Sequence, residues 1–166
     1  MSALIVTPPI YRYKPRGAEK LSVFLAGSIE MGVARDWQTE MIERIEDHAS
    51  VIYNPRRADW NSSWVQSIEH ADFNVQVNWE LEMIEEADIV VIYFEESTKS
   101  PITLMELGFV AATKPENVIV CCPEDFWRKG NVDIMCERQG IEIISGDDPI
   151  AALADAFIRR ADTHGR

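Results

Sequence analysis

The chain of 166 residues is poor in positive charge and in cysteine, and it has no long apolar run. Its 16 basic residues face 28 acidic ones, and the net charge of −12 argues against a nucleic acid polymer as partner. No apolar run approaches the roughly 20 residues of a membrane-spanning helix, so we expect no membrane association. The N-terminus also lacks a charged-then-apolar secretory signal.

Cysteine and histidine are too few and too scattered for a disulfide framework or a metal site. The cysteines are odd in number and lack CxxC spacing: Cys121, Cys122 and Cys136. The three histidines show no metal-ligand spacing, so we expect no metal. Unpaired cysteines suit a reducing compartment, and we therefore expect a cytoplasmic protein.

What the sequence does contain is a regular alternation of strand-like and helix-like segments. Short apolar runs predict strands at 21–26, 51–53, 88–94, 117–122 and 141–144. Amphipathic or capped stretches predict helices at 34–48, 74–87, 101–113, 131–139 and 149–161. This alternation indicates an α/β fold, a flavodoxin-like doubly wound sheet of five parallel strands in the order 2-1-3-4-5 with helices on both faces. We assign this single domain to residues 21–166, after an irregular N-terminal arm at 1–20 with room for a short edge strand.

Ligands of this fold bind beyond the carboxyl ends of strands 1 and 3, where the strand order reverses. The loops that meet there are predicted at 27–32 and 95–100. The first loop begins Gly27-Ser28-Ile29, and its backbone N–H groups together with the Ser28 hydroxyl could hold a phosphate or a sugar hydroxyl. The turn is not a P-loop, because no Lys-Ser/Thr pair follows its second glycine. It is not a dinucleotide fingerprint either, because its glycine spacing is wrong.

Two glutamates fall among apolar residues of their predicted helices. Glu106 is the only charged residue at 101–112, and its helical neighbours are mostly apolar. Glu80 falls inside the apolar arc of the preceding helix, whereas three other glutamates of that helix face the opposite side. Buried carboxylates are rare unless paired or used, so the two form a candidate acid–base or nucleophile pair. The structural alternatives are that Glu106 reaches solvent or caps a loop, and that Glu80 bonds a backbone amide or an arginine.

The long segment at 54–73 is mostly irregular, and long loops in compact domains are usually functional or disordered. It has too many tryptophans for disorder. Arg56 and Arg57 could bind an anion or pair with the acidic surface. Trp60 and Trp64 could stack on a base or belong to the core.

Six short motifs follow one another along the chain. They are FLAGSI at 24–29, NPRR at 54–57, WE at 79–80, AD at 87–88, SPITLMELG at 100–108 and GNV at 130–132. In this order and spacing, over about residues 21–145, they resemble the nucleoside 2-deoxyribosyltransferase family and its deoxyribosyltransferase-like branch. The resemblance implies a flavodoxin-like fold. It also implies cleavage of the N-glycosidic bond of nucleosides or nucleotides, with the sugar passed to another base or to water.

The resemblance also implies roles for individual residues. Glu106, in the Glu-Leu-Gly signature, takes the place of the nucleophile, and Glu80 takes that of its acidic partner, which is usually Asp in the family. Ser100 stands where better-known transferases have a base-binding Asp, and the turn at 27–29 resembles one that binds sugar or phosphate. Asn131 matches a residue that reaches into the neighbouring subunit's site, which implies a dimer-based homo-oligomer with a shared site.

We therefore expect a nucleoside 2-deoxyribosyltransferase that works by double displacement, with a nucleoside or nucleotide and a free nucleobase as its small-molecule partners. Glu106 would attack C1′ as the base leaves, and a second base would take the sugar from the ester, with no cofactor. The nearest alternative is an N-glycoside hydrolase of nucleoside 5′-monophosphates, for which Ser28 and Arg56 or Arg57 leave room for phosphate. The alternative from another class is a non-catalytic flavodoxin-like binding module. It is disfavoured because the residues after strand 1 are neither acidic nor rich in Ser and Thr.

Overall fold

A sheet of six parallel strands runs through the protein in a computed structural model that describes residues 2–29 and 34–164. The strands are β1 (Leu4–Val6), β2 (Ser22–Gly27), β3 (Val51–Tyr53), β4 (Ile89–Tyr93), β5 (Val118–Cys121) and β6 (Glu142–Ile144). Their spatial order is β1-β3-β2-β4-β5-β6, so the five predicted strands stand in the predicted order relative to one another. The predicted number of five strands is wrong, because β1 pairs with β3 and adds a sixth. Three apolar residues in the arm cover backbone groups that β3 would otherwise leave open at an edge.

Five α-helices connect and flank these strands in the described part of the chain. They are α1 (Trp37–Ile45), α2 (Ala71–Glu86), α3 (Pro101–Thr113), α4 (Lys129–Gln139) and α5 (Pro149–His164), with a short 3-10 helix at Pro115–Asn117. The start of α2 differs from the prediction by three residues, because the His70 ring accepts a hydrogen bond from the backbone N–H of Phe73 and caps the helix. None of the helices described is long and apolar enough to cross a membrane.

Successive side chains of the central strands join two different core clusters. Along β2, Val23 and Leu25 belong to one cluster, and Phe24 and Ala26 belong to the other. The first cluster includes apolar residues of α1 and α5, and the second includes apolar residues of α2, α3 and α4. Since strand side chains alternate in direction, the short apolar strands supply both clusters at once.

The N-terminal arm is fastened to the sheet and to α2 beyond its strand. Lys14 donates a 2.7 Å hydrogen bond to the carboxylate of Asp88, which also accepts one from the Ser22 backbone at 2.7 Å. Burial alone would raise the pKa of Asp88, but these hydrogen bonds hold it below its ordinary value. The indole N–H of Trp79 donates to the carbonyl of Ile10 at 2.7 Å. The arm therefore braces the helix that carries Glu80.

Gly27 ends β2 at a point where two neighbours approach its backbone closely. A Cβ atom added there would lie 2.5 Å from the carbonyl oxygen of Tyr93 and 2.6 Å from a ring carbon of Trp37. Trp37 is completely buried, and its indole N–H donates to the carbonyl of Ser28 at 3.1 Å. The packing thus requires glycine at the start of the 27–32 turn, of which residues 30–32 lie outside the described part of the chain.

We expect Gly27→Ala to destabilise the protein by about 1–3 kcal/mol, because neither a backbone carbonyl nor a buried ring can move away cheaply. Gly108→Ala is the matched control: it lies within α3, nothing lies within 4 Å of an added Cβ, and alanine favours the helix by up to about 1 kcal/mol. Thermal unfolding of both variants measures the difference. If Gly27→Ala and Gly108→Ala unfold at the same temperature, the neighbours of Gly27 can move away from an added Cβ without loss of stability.

Candidate functional site

Two glutamates, one from α2 and one from α3, interact electrostatically at the site. Glu106 of α3 is buried, with 7% of its surface exposed, and Glu80 of α2 is partly buried. Burial raises the pKa of Glu106 well above its ordinary value, and the charge of Glu80 raises it further. Burial also raises the pKa of Glu80 to about 7, although a hydrogen bond from Gln76 opposes this. Two carboxyls of this kind give up their protons at higher pH than isolated glutamates do.

The buried face of α2 explains the direction in which Glu80 points. Trp79 and Met83 are fully buried, whereas Val77 is only partly buried and Leu81 is 36% exposed. The buried side of α2 therefore includes Trp79 and Met83 rather than Val77 and Leu81. Glu80 lies on this side as well. A carboxylate in such a position is desolvated but remains within reach of a ligand.

Gln76, one helical turn before Glu80, was missed by the sequence reasoning. It is 2% exposed, and its side-chain amide donates to a carboxylate oxygen of Glu80 at 2.7 Å and to the carbonyl of Pro55 at 3.3 Å. The amide oxygen accepts a hydrogen bond from the Arg57 guanidinium at 3.3 Å. The available signal was a polar residue at position i with Glu80 at i+4, both on the apolar side of one helix.

Three hydroxyl groups form a buried cluster where the loops after β2 and β4 meet. The Ser28 hydroxyl lies 2.9 Å from that of Thr98 and bonds that of Ser100, which lies 2.7 Å from Thr98. The Ser28 hydroxyl also accepts from the backbone N–H of Glu95 at 3.0 Å. The predicted ligand-binding hydroxyl of Ser28 is thus bonded within the protein. Thr98, which the sequence reasoning did not single out, completes the cluster.

The start of α3 has an uncommon backbone conformation. Ser100 is the N-cap residue of α3, but it has φ of +45° and its side chain caps no backbone N–H of the helix. A left-handed conformation is unusual for a residue other than glycine and costs on the order of 1 kcal/mol. Hydrogen bonds of the hydroxyl cluster offset this cost and fix the entry to the helix that carries Glu106.

The two predicted anion-binding arginines are held by protein groups. Arg56 donates to the carbonyls of Arg35 and Ala34 at 3.0 and 3.3 Å. Arg57 forms a two-pronged hydrogen bond with Asp59 at 2.9 and 2.8 Å. Arg57 thus pairs with an acidic side chain, and Nε of Arg56 also lies 3.8 Å from a carboxylate oxygen of Asp36.

Two tryptophans of the 54–73 segment pack against each other next to Arg57. The guanidinium of Arg57 lies 5.2 Å from the ring centre of Trp64, and Trp60 packs edge-on to Trp64 with 5.0 Å between ring centres. Both tryptophans are only partly buried, and the buried indole N–H of Trp60 finds no partner among the described residues. This aromatic group is connected to Glu80 through Arg57 and Gln76.

Asn131 lines a surface groove that neither glutamate of the pair lines. It is exposed on α4 and faces a groove of about 310 Å³ between α3 and α4, which Leu104, Leu107, Gly108, Arg128, Val132 and Met135 also line. Neither Glu80 nor Glu106 lines this groove. In the chain from 2 to 29 and from 34 to 164, no cluster of His, Cys, Asp or Glu could hold a metal ion.

The geometry and a family comparison agree on the class of protein. A carboxyl pair with raised pKa, carried by helices that flank a parallel sheet, suits acid–base and nucleophilic chemistry. The family model of nucleoside 2-deoxyribosyltransferase-like proteins matches residues 20–126, more than half of the chain, so the chain belongs to this family. This confirms the resemblance found in the motifs and supports a nucleoside 2-deoxyribosyltransferase-like function. The match covers Glu80 and Glu106 but ends before Asn131. No curated protein sequence matches the chain.

We expect Glu106→Gln to raise the thermal unfolding midpoint at pH 8 by a few degrees, on the order of 1 kcal/mol for a chain of this size. The pKa of Glu106 is higher in the folded protein than in the unfolded chain, so ionisation at high pH costs stability that glutamine does not lose. Below the unfolded pKa both states are protonated, and the gain should vanish near pH 4. Glu85→Gln, on the exposed side of α2, is the control and should change little. A gain that does not depend on pH would contradict a buried, ionising Glu106.

Proposed function

We propose that the protein is a nucleoside 2-deoxyribosyltransferase that cleaves the N-glycosidic bond of deoxynucleosides by double displacement. The observation that carries the proposal is the Glu80–Glu106 pair: Glu106 is buried, Glu80 is partly buried, and burial raises the pKa of both carboxyls. Retaining glycosidases likewise use two carboxyls, one as nucleophile and one for proton transfer. Glu106 is the nucleophile because it is the more deeply buried of the two and lies in the Glu-Leu-Gly signature.

The reaction divides one difficult substitution into two easier steps. In the first, the carboxylate of Glu106 attacks C1′ while Glu80 delivers a proton to the departing base. In the second, an incoming base attacks C1′ of the glycosyl ester and Glu80 takes up its proton. Inversion occurs twice, so the configuration at C1′ is retained. The chain's own carboxyls perform both steps.

The aromatic segment after β3 is the best candidate for holding the base. Trp60 and Trp64 offer ring faces, and they connect to the carboxyl pair through Arg57 and Gln76. Stacking of a base on an aromatic ring contributes about 1–3 kcal/mol and tolerates different bases. A transferase must accept two bases in turn at one site, which a stacking platform permits. The internal contacts of Arg57 favour a supporting role for it over direct anion binding.

A second copy of the chain is proposed to complete the site. Asn131 is exposed beside the groove between α3 and α4, which neither glutamate of the pair in its own subunit lines. Large apolar side chains are exposed on the same two helices: Ile102, Met105, Ile134 and Met135. Burial of these side chains between subunits would stabilise a dimer and offer Asn131 to a neighbouring site.

One observation favours a second candidate function, hydrolysis of a nucleoside 5′-monophosphate. The three hydroxyls of Ser28, Thr98 and Ser100 lie at the N-terminus of α3, where helix N–H groups favour an anion. Such a hydrolase would use the same pair of glutamates, with water in place of the second base. Product analysis distinguishes the two candidates.

We expect a 2-deoxy-2-fluoro nucleoside to leave one sugar covalently attached to Glu106. Fluorine destabilises the oxocarbenium-like transition states, so the ester forms and breaks slowly enough to be detected. Intact-protein mass spectrometry should show one added sugar mass, mapping to the peptide that contains Glu106. The adduct should be absent in Glu106→Ala and present in Glu85→Ala.

Turnover of the natural substrate separates the possible outcomes of this test. Full-rate cleavage by Glu106→Ala would refute the assignment of the nucleophile. Release of free sugar by the unmodified protein, without base exchange, would retain Glu106 and identify the protein as the hydrolase. Glu85 is an exposed residue of α2, so its variant controls for nonspecific labelling.

We expect a mixture of Asn131→Ala and Glu106→Ala subunits to regain activity that neither variant has alone. In a hybrid dimer, one of the two sites contains both an intact Glu106 and an intact Asn131 from the other subunit. At most about half of the hybrid's sites are complete, which sets the upper limit of recovery. Native mass spectrometry must first demonstrate subunit exchange. If hybrids form and the activity stays at parental levels, Asn131 does not act across the interface.

A further inference from the structure

The amide of Gln76 is fixed in one orientation by two groups that cannot exchange roles. Its Nε2 atom donates to the carbonyl of Pro55 at 3.3 Å, and its Oε1 atom accepts from the guanidinium of Arg57 at 3.3 Å. A carbonyl can only accept and a guanidinium can only donate, so a rotated amide would lose both hydrogen bonds. Gln76 therefore presents a permanent donor to Glu80, at 2.7 Å, whatever the protonation state of that carboxyl.

The two carboxyls of the pair differ in the hydrogen-bond donors that reach them. Glu80 receives the hydrogen bond from Gln76, whereas no hydrogen-bond donor to the Glu106 carboxyl is found within residues 2–29 and 34–164. Glu106 is also the more buried of the two. A donor stabilises the ionised form of a carboxyl, and burial without a donor disfavours it.

We propose that Gln76 is a positioning residue that favours the negative charge of the resting pair on Glu80 and the proton on Glu106. The catalytic meaning of this arrangement rests on the proposed function. In that reaction Glu80 accepts the proton of Glu106 and passes it to a nitrogen of the departing base, which takes the electron pair of the C1′–N bond. Glu106, then ionised, forms the new C1′–O bond.

Few charged groups act on Glu80 from the elements around it. Among the described residues, Glu106 faces it from α3, and Arg57 stands behind Gln76 in the segment after β3. Arg57 is itself paired with Asp59 and lies within the electrostatic influence of Asp72. Its own partners therefore largely neutralise the charge of Arg57. Arg57 affects Glu80 mainly by fixing the orientation of the Gln76 amide, which in turn donates to Glu80.

A titration without substrate tests the charge placement directly. Glutamate labelled with ¹³C at the side-chain carboxyl reports ionisation by NMR, and Glu80→Gln and Glu106→Gln assign the two signals. We expect Glu80 to ionise at lower pH than Glu106. In Gln76→Met, which keeps the length of the side chain and removes the amide, the pKa of Glu80 should rise by about one unit or more.

Gln38→Met is the matched control for this variant. Gln38 is also fully buried and also accepts a hydrogen bond from an arginine, Arg56, at 3.4 Å, but it belongs to α1 and bonds neither carboxyl of the pair. Its replacement should leave the titration of Glu80 unchanged. If Gln76→Met does not fold, Arg57→Met takes its place, because it frees the amide to rotate and should produce a smaller rise.

The outcomes separate this inference from the proposed function. An unchanged Glu80 titration in the folded Gln76 variant, or ionisation of Glu106 before Glu80, would overturn the positioning role. With an active enzyme, the acidic limb of the kcat profile should move to higher pH in Gln76→Met, with KM little changed. If the unmodified protein neither exchanges nor hydrolyses nucleosides, the proposed function fails, and the titration still decides the role of Gln76.

Discussion

Electrostatic repulsion between two buried carboxyls is the constraint on which the site depends. Glu80 and Glu106 cannot both be ionised cheaply where water is largely excluded, so the pair retains a proton at a pH where isolated glutamates have lost theirs. That arrangement costs folding stability, which the rest of the protein must supply. In the proposed reaction, such a pair would supply both a proton donor and a nucleophile at one site.

The elements next to the carboxyl pair are well packed and hydrogen-bonded, and these contacts supply the stability. The strands adjoining the site are buried on both sides, and Trp37 packs against the backbone of Gly27 at the end of β2. The arm bonds Trp79, the residue next to Glu80, and the hydroxyl cluster fixes the entry to α3. Both helices that carry the carboxyls are thus held near the site by hydrogen bonds as well as by apolar packing.

The sequence was informative where a pattern repeats and uninformative where contacts join distant segments. Strand order and all five helices follow from periodicity, turn residues and the α/β alternation, and Glu106 stands out because its helix has no other charge. The edge strand β1 could only be suggested, since three apolar residues are too short a signal to predict pairing. Thr98 and Gln76 were missed because their roles come from partners 70 and 21 residues away, namely Ser28 and Pro55, and no local pattern reveals such contacts.

The identity of residue 80 gives the network around Gln76 its physical sense. Glutamate has one more rotatable bond than the aspartate usual in this family, so an unrestrained Glu80 would sample more positions in the site. Its hydrogen bond to Gln76, one turn earlier on the same helix, removes that freedom, and the contact of Gln76 with Arg57 removes the freedom of the amide. Pre-organisation of this kind is worth more than the hydrogen bonds themselves, because proton transfer depends steeply on position. The longer side chain of Glu80 is therefore already ordered in the folded protein. Its loss of conformational entropy accompanies folding and is not added to the cost of binding a ligand.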